Sequence, residues 1–269
     1  MTGSVANCNF INNSAAQGSA VCFWDVAGNV TNCTFTDNNA ASAGALYLCG
    51  GIVSDCTFSG NSNDLGRGGA IASFTKVSNI VNCTFTDNSG AQGGAIAFYD
   101  ADCNVTGCTF IGNAAIIGTD GGAIWTGGGN VTNCTFIDNS GAQGGAISFY
   151  SYCIVTDCTF LNNTARGQGS QFADGGAIHL NDGIVTNCNF INNSGEIWGG
   201  AISSGHVTVN NCTFTGNTIT GDAKNMGGHA IYSNTGGSVT NCVFVDNSAE
   251  SIKYTIYSAG ALYDSLDNN

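Results

Sequence analysis

A unit of the form N/D/G-C-x-F-x-x-N recurs ten times in 269 residues, and it constrains this chain more than any other feature. Its aromatic residues are Phe10, Phe35, Phe58, Phe85, Phe110, Phe136, Phe160, Phe190, Phe214 and Phe244. Phe10 and Phe244 lie 234 residues apart across nine intervals, a mean of 26. A Cys stands two residues before each Phe and an Asn three after, as in Cys33, Phe35 and Asn38, Cys83, Phe85 and Asn88, or Cys134, Phe136 and Asn139. A second unit, G-G-A-I in clean copies such as Gly93 to Ile96 and Gly144 to Ile147, alternates with the first. A 26-residue unit cannot bury its own Phe and Ile, so such units must stack on one another.

The local period is two. In Asn32-Cys33-Thr34-Phe35-Thr36 the Cys and Phe share one face while Asn and the two Thr share the other. Ile96 with Phe98, and Ile178 with Leu180, repeat this after the Gly pair. No segment carries an apolar stripe of helical period between capping residues. Strands stacked about 4.8 Å apart turn each repeated position into a ladder of identical side chains. These features predict an all-β, single-stranded, right-handed parallel β-helix of about ten coils of ~26 residues, right-handed because parallel crossovers are. Residues 1–269 read as one β-helix domain. Pro is absent because nearly every strand N–H is needed for a ladder bond. The recurring Asn is expected to serve as a turn residue tolerant of left-handed backbone and to bond along the stack.

Composition then excludes partners. Five Lys plus Arg against 18 Asp plus Glu give a net charge of −13, with no basic footprint for nucleic acid. No apolar run approaches the ~18 residues of a membrane helix. Fourteen Cys are present, ten of them at the ladder position. Neighbouring ladder Cα atoms about 4.8 Å apart fall within disulfide range, but parallel in-register side chains suit a stack of thiols as well. Cys103 and Cys153 fall two coils apart and are not expected to pair. CxxC and HxxxH spacings are missing, so no metal and no cofactor is expected.

Two regions are candidates for binding. The segment from Phe to the Ala of GGAI grows from 10 residues at Phe10 to 17 at Phe160, and insertions of this kind gather on one edge of a solenoid. Arg67, Arg166, Asp174, Lys224 and Lys253 lie in these segments. Either the edge holds solvated charge, or it contacts a ligand. The second region is the residue after the GGAI Ile, expected to point outward. This column includes Tyr47, Trp125, His179, Tyr232 and Tyr263, whose rings offer stacking surfaces for sugars. Strand propensity explains the same residues without a ligand. An outward N-x-T-x-T array, as at Asn82, Thr84 and Thr86, resembles an ice-binding lattice, but Ile111, Ile137 and Leu161 interrupt it. No catalytic residues are assigned. The recurring Asp residues belong to the turn repeat, and Asp100-Ala101-Asp102 has no nearby basic residue to complete a lyase or hydrolase site.

The alternation of GGA[I/L] and FxxN resembles the repeats of chlamydial polymorphic outer-membrane proteins. The longer form V-T-N-C-x-F-x-x-N-S…G-G-A-I, at Val131 to Ile147, resembles the adhesin-like surface proteins of methanogenic archaea. The resemblance covers nearly the whole chain. It implies an extracellular or cell-surface rod used in attachment to a host or neighbouring cell, with glycans among the expected ligands. A purely structural stalk, surface-layer or filament element is the alternative. The chain begins and ends inside the repeat, without a signal peptide or anchor, so it is expected to be a fragment of a longer surface protein. Its open ends are expected to favour end-to-end self-association.

Overall fold

The computed structural model describes residues 2–74, 77–116, 120–167, 173–221, 227–247, 254–258 and 262–264. Three parallel sheets run the length of a β-solenoid. The ten FxxN strands, from Asn9–Ile11 to Val243–Val245, form one sheet, and nine turns separate the first from the last. A nine-stranded sheet carries the segments after the conserved Asn. The third sheet, of 15 strands, holds the GGAI segment and the strand leading to the next Cys. In coils 1 to 3 these two are separate strands, for example Ile71–Ser73 and Ser78–Val81. In coils 4 to 9 they merge into one, as in Ile96–Thr106 and Ile147–Thr156, and in the last coil Tyr254–Ser258 and Leu262–Asp264 are separate again.

Two corners flank every FxxN strand, and both require left-handed backbone. The residue before the ladder Cys and the residue before the ladder Asn have φ between +51° and +66° in all ten coils. Asn, Asp and Gly are the residues that tolerate this region, and they are the ones found there. The structure thus corrects one half of the expected role of the recurring Asn: it bonds along the stack but does not turn the chain. Asp37, Asp87 and Asp138 turn the chain, while Asn38, Asn88 and Asn139 point inward and are fully buried.

The buried Asn column replaces solvent for its own amides. Asn113 Oδ1 accepts from the backbone N–H of Asn88 at 3.0 Å and from its Nδ2 at 3.0 Å. Asn113 Nδ2 donates to Phe85 O at 3.0 Å and to Asn139 Oδ1 at 3.0 Å. Beside this column the Phe rings stack with centroids 4.6–4.9 Å apart. The ladder cysteines are free thiols, as are all fourteen. Cys134 Sγ accepts the N–H of Cys108 at 3.4 Å and donates to Thr132 O at 3.2 Å. Cys103 and Cys153 are separated in register by Gly129, two coils apart.

Candidate functional site

The outward face of the GGAI sheet is where chemistry gathers. Successive side chains alternate sides of a strand, so the first and third residues after the Ile both point outward. Rings from these two positions join into one stack over coils 1 to 6: Trp24, Tyr47, Phe74, Tyr99, Trp125 and Tyr150. Their centroids are 5.4–5.9 Å apart. Three of the five contacts are stacked, which turns those ring faces toward one another, while Phe74–Tyr99 is tilted by 50° and Tyr150 meets Trp125 edge-on at 68°. Tyr47 and Trp125 are each only 8% exposed, so neither offers an open face for a sugar, contrary to the expectation from sequence. Open aromatic surface is found at Trp24, 58% exposed, and Tyr150, 41% exposed. Four of these rings, Trp24, Phe74, Tyr99 and Tyr150, occupy the third position after the Ile or the Val that replaces it, which a count of the first position alone misses.

At Arg67 the loop edge and the aromatic face meet. The residue preceding the Gly pair leans over the rings of the following coils. Arg67 does so in coil 3: its guanidinium carbon lies 3.7 Å from the Tyr99 centroid, 5.3 Å from Trp125 and 5.8 Å from Phe74. The Phe74 and Tyr99 planes are splayed by 50°, which opens the wedge it fills. Arg67 Nε donates to Gln92 Oε1 at 2.6 Å. In coil 5, Asp120 occupies the corresponding place, 1% exposed, and its Oδ1 accepts from the Tyr150 hydroxyl. Burial pushes the Asp120 carboxyl above its ordinary range, against the Tyr150 hydrogen bond and the Arg67 charge. In coil 8, Trp198 lies over Tyr232, with centroids 5.4 Å apart, and Tyr232 stacks on Tyr257 at 5.5 Å.

A groove of about 550 Å³ follows the face across coils 1 to 4, lined by residues including Gln17, Ser42, Leu65, Arg67, Phe74 and Gln92. Arg166 is exposed and lines a separate groove of about 370 Å³ with Asp138, Asn162 and Thr164.

The remaining candidates are placed differently from expectation. Asp174 is 2% exposed, bridged by its backbone between Gln143 and Trp198, and its Oδ1 has no hydrogen-bond partner. Desolvation raises its carboxyl to about 7, against one backbone hydrogen bond, so it is not a charged residue of an open edge. His179 pairs in register with Ser148 and Ser203; burial lowers its imidazole to about 4, and its Nδ1 makes no hydrogen bond. Tyr263 pairs with Ser238, while Tyr257 pairs with Tyr232, so Tyr257 takes the column place expected for Tyr263. The last coil reaches register from Tyr254–Ser258, not from the Ala-Gly-Ala-Leu segment that follows. Lys224 and Lys253 lie outside the described residues. Among the described residues, no cluster of three or more His, Cys, Asp or Glu is placed to hold a metal. No helix there is long and apolar enough to cross a membrane.

A family model described as the right-handed beta helix region matches residues 2–160, 90–235 and 120–265. No curated protein and no solved structure matches the chain.

Proposed function

The chain belongs to the right-handed β-helix family, and from that premise we propose an adhesin-like rod, outside the cell or on its surface, that attaches to glycans of a host or neighbouring cell. The observation that carries this reading is the convergence of the variable edge and the aromatic face. Arg67 and Gln92 from the edge meet Phe74 from the face in one elongated groove, and the Tyr99 ring backs the Arg67 guanidinium. Sugars combine apolar C–H surface with hydroxyl groups, and this groove presents the Phe74 ring and Leu65 beside amide, hydroxyl and guanidinium groups.

The rod is proposed without a catalytic role. Asp120 and Asp174 stand on the outward face at 1% and 2% exposure, buried where a glycosidic oxygen would not reach them. Beads coated with the chain and washed over cells and a glycan panel test the adhesive reading. Replacing Trp24, Phe74 and Tyr99 together with Ser is expected to lower retention at least tenfold. Equal retention by the variant, or none by the unaltered chain, would favour the stalk. Antibody labelling of intact cells checks the surface placement: labelling only after the cells are broken open contradicts it.

A further inference from the structure

We propose that the groove at Arg67 selects a sugar bearing a carboxylate, and that Arg67 sets this selectivity. The inference rests on the glycan-binding reading of this face and names the ligand class.

Among the described residues, no carboxylate pairs with Arg67, a cation on an acidic rod. Among the described residues the one ion pair joins His206 Nδ1 and Asp182 Oδ1 at 3.3 Å, away from Arg67. Asp120 is near enough to feel the Arg67 charge, yet the two make no ion pair. The guanidinium is half-buried and fixed in orientation on two sides. Gln92 holds its Nε at 2.6 Å, and the Tyr99 ring lies beneath its plane at 3.7 Å. Its two terminal nitrogens make no hydrogen bond to any described residue, so among these they form a held fork without an acceptor. A planar carboxylate is the acceptor that matches two parallel N–H donors.

The surroundings favour a sugar as the carrier. Gln17, Ser42 and Gln92 supply amides and a hydroxyl for ring hydroxyls, and Phe74 and Leu65 supply apolar contact. The volume of about 550 Å³ lies within the range of small-ligand sites, enough for a short oligosaccharide. The groove follows the rod axis, so a linear chain can lie along it. A peptide C-terminus carries the same carboxylate, but it would use main-chain partners that these side chains do not reproduce.

The test compares oligosaccharides ending in a uronic or sialic acid with the same compounds whose carboxyl has been reduced to an alcohol. Calorimetry on the full chain is expected to show at least tenfold tighter binding of the acid forms, with a gap that narrows as salt rises. Arg67→Gln should erase the gap with a melting temperature unchanged, Arg67→Lys should keep only part of it, and Arg166→Gln should leave it intact. Equal binding of acid and reduced forms overturns the proposal, as does a gap that survives Arg67→Gln. Tighter binding of peptide carboxylates than of acidic sugars overturns it too. Neutral glycans bound equally well leave the adhesive reading standing while this one falls. Acidic sugars bound by a chain that holds no cells leave this one standing while the adhesive reading falls. No glycan bound at all removes both.

Discussion

Asn113 is a polar side chain in a fully apolar setting, and it is stable there because each of its amide atoms is used. Asn113→Ala strands the buried N–H of Asn88 and one of its two Nδ2 protons, the other still donating to Phe58 O. At about 1–3 kcal/mol for each orphaned group, the loss is roughly 2–6 kcal/mol, measurable by urea unfolding. Asn13→Ala at the exposed first coil is expected to cost far less, since nothing donates to Asn13 Oδ1. Asp174 is the opposite case, a carboxyl buried without full satisfaction. Its pKa of about 7 when folded exceeds the ~3.9 of an unfolded Asp, so the folded state binds the proton more tightly. The stability it supports is complete below about pH 4 and is lost as the pH rises toward 7. Asp174→Asn removes that loss and should stabilise the rod by roughly 2–4 kcal/mol at pH 8, and by less at pH 5. His179 acts in the other direction, since its neutral buried ring penalises folding as the pH falls below about 6.5. Comparing the variant with the unaltered chain at each pH cancels that contribution.

The corners are where element-level rules decide which substitutions survive. Gly112 and Gly216 sit at a corner that in seven other coils carries Asn or Asp and in one Gly60, with φ of +63° and +64°. A Cβ there meets only the tip of a neighbouring side chain, Asp87 or Asn192. Gly93 has a similar φ of +67°, but its Cβ would lie 2.1 Å from the Ile96 carbonyl oxygen, which the strand cannot move. Thermal melts should therefore place Gly112→Asn within about 0.5 kcal/mol of the unaltered chain, whereas Gly93→Asn costs 2 kcal/mol or more, on the order of a strained-backbone penalty plus a clash. The same distinction marks how much the sequence disclosed. Ten alternations of N/D/G at the corners and Cys, Phe and Asn inside made coils, core and strand faces legible. The aromatic stack was half legible, because period two places the third residue after the Ile outward as surely as the first. The register of the last coil was not, since a degenerate Ala-Gly-Ala-Leu resembles the repeat better than the Tyr254–Ser258 strand that pairs with Tyr232.

For the whole molecule, stacking accounts for the scarcity of charge. Like charges repeated every coil would stand about 4.8 Å apart, so the strands carry Asn and Thr, and charge is displaced to corners and the edge. The meeting of Arg67 with Tyr99 and Trp125 lay beyond sequence reasoning. It depends on how far a side chain leans across one or two coils, a distance no repeat period encodes. The ladders also give the rod a direction of weakness. Their backbone hydrogen bonds run parallel to the long axis, so tension applied at the two ends loads them one coil at a time instead of in shear across a whole sheet. A tethered rod would behave as a ratcheted spool, each coil of ~26 residues releasing roughly 80–90 Å of chain. Optical-trap extension should show a sawtooth with that step, and a single rip through the whole chain would contradict it. If the rod tethers cells as proposed, it would absorb shear by lengthening before its grip on a surface is broken.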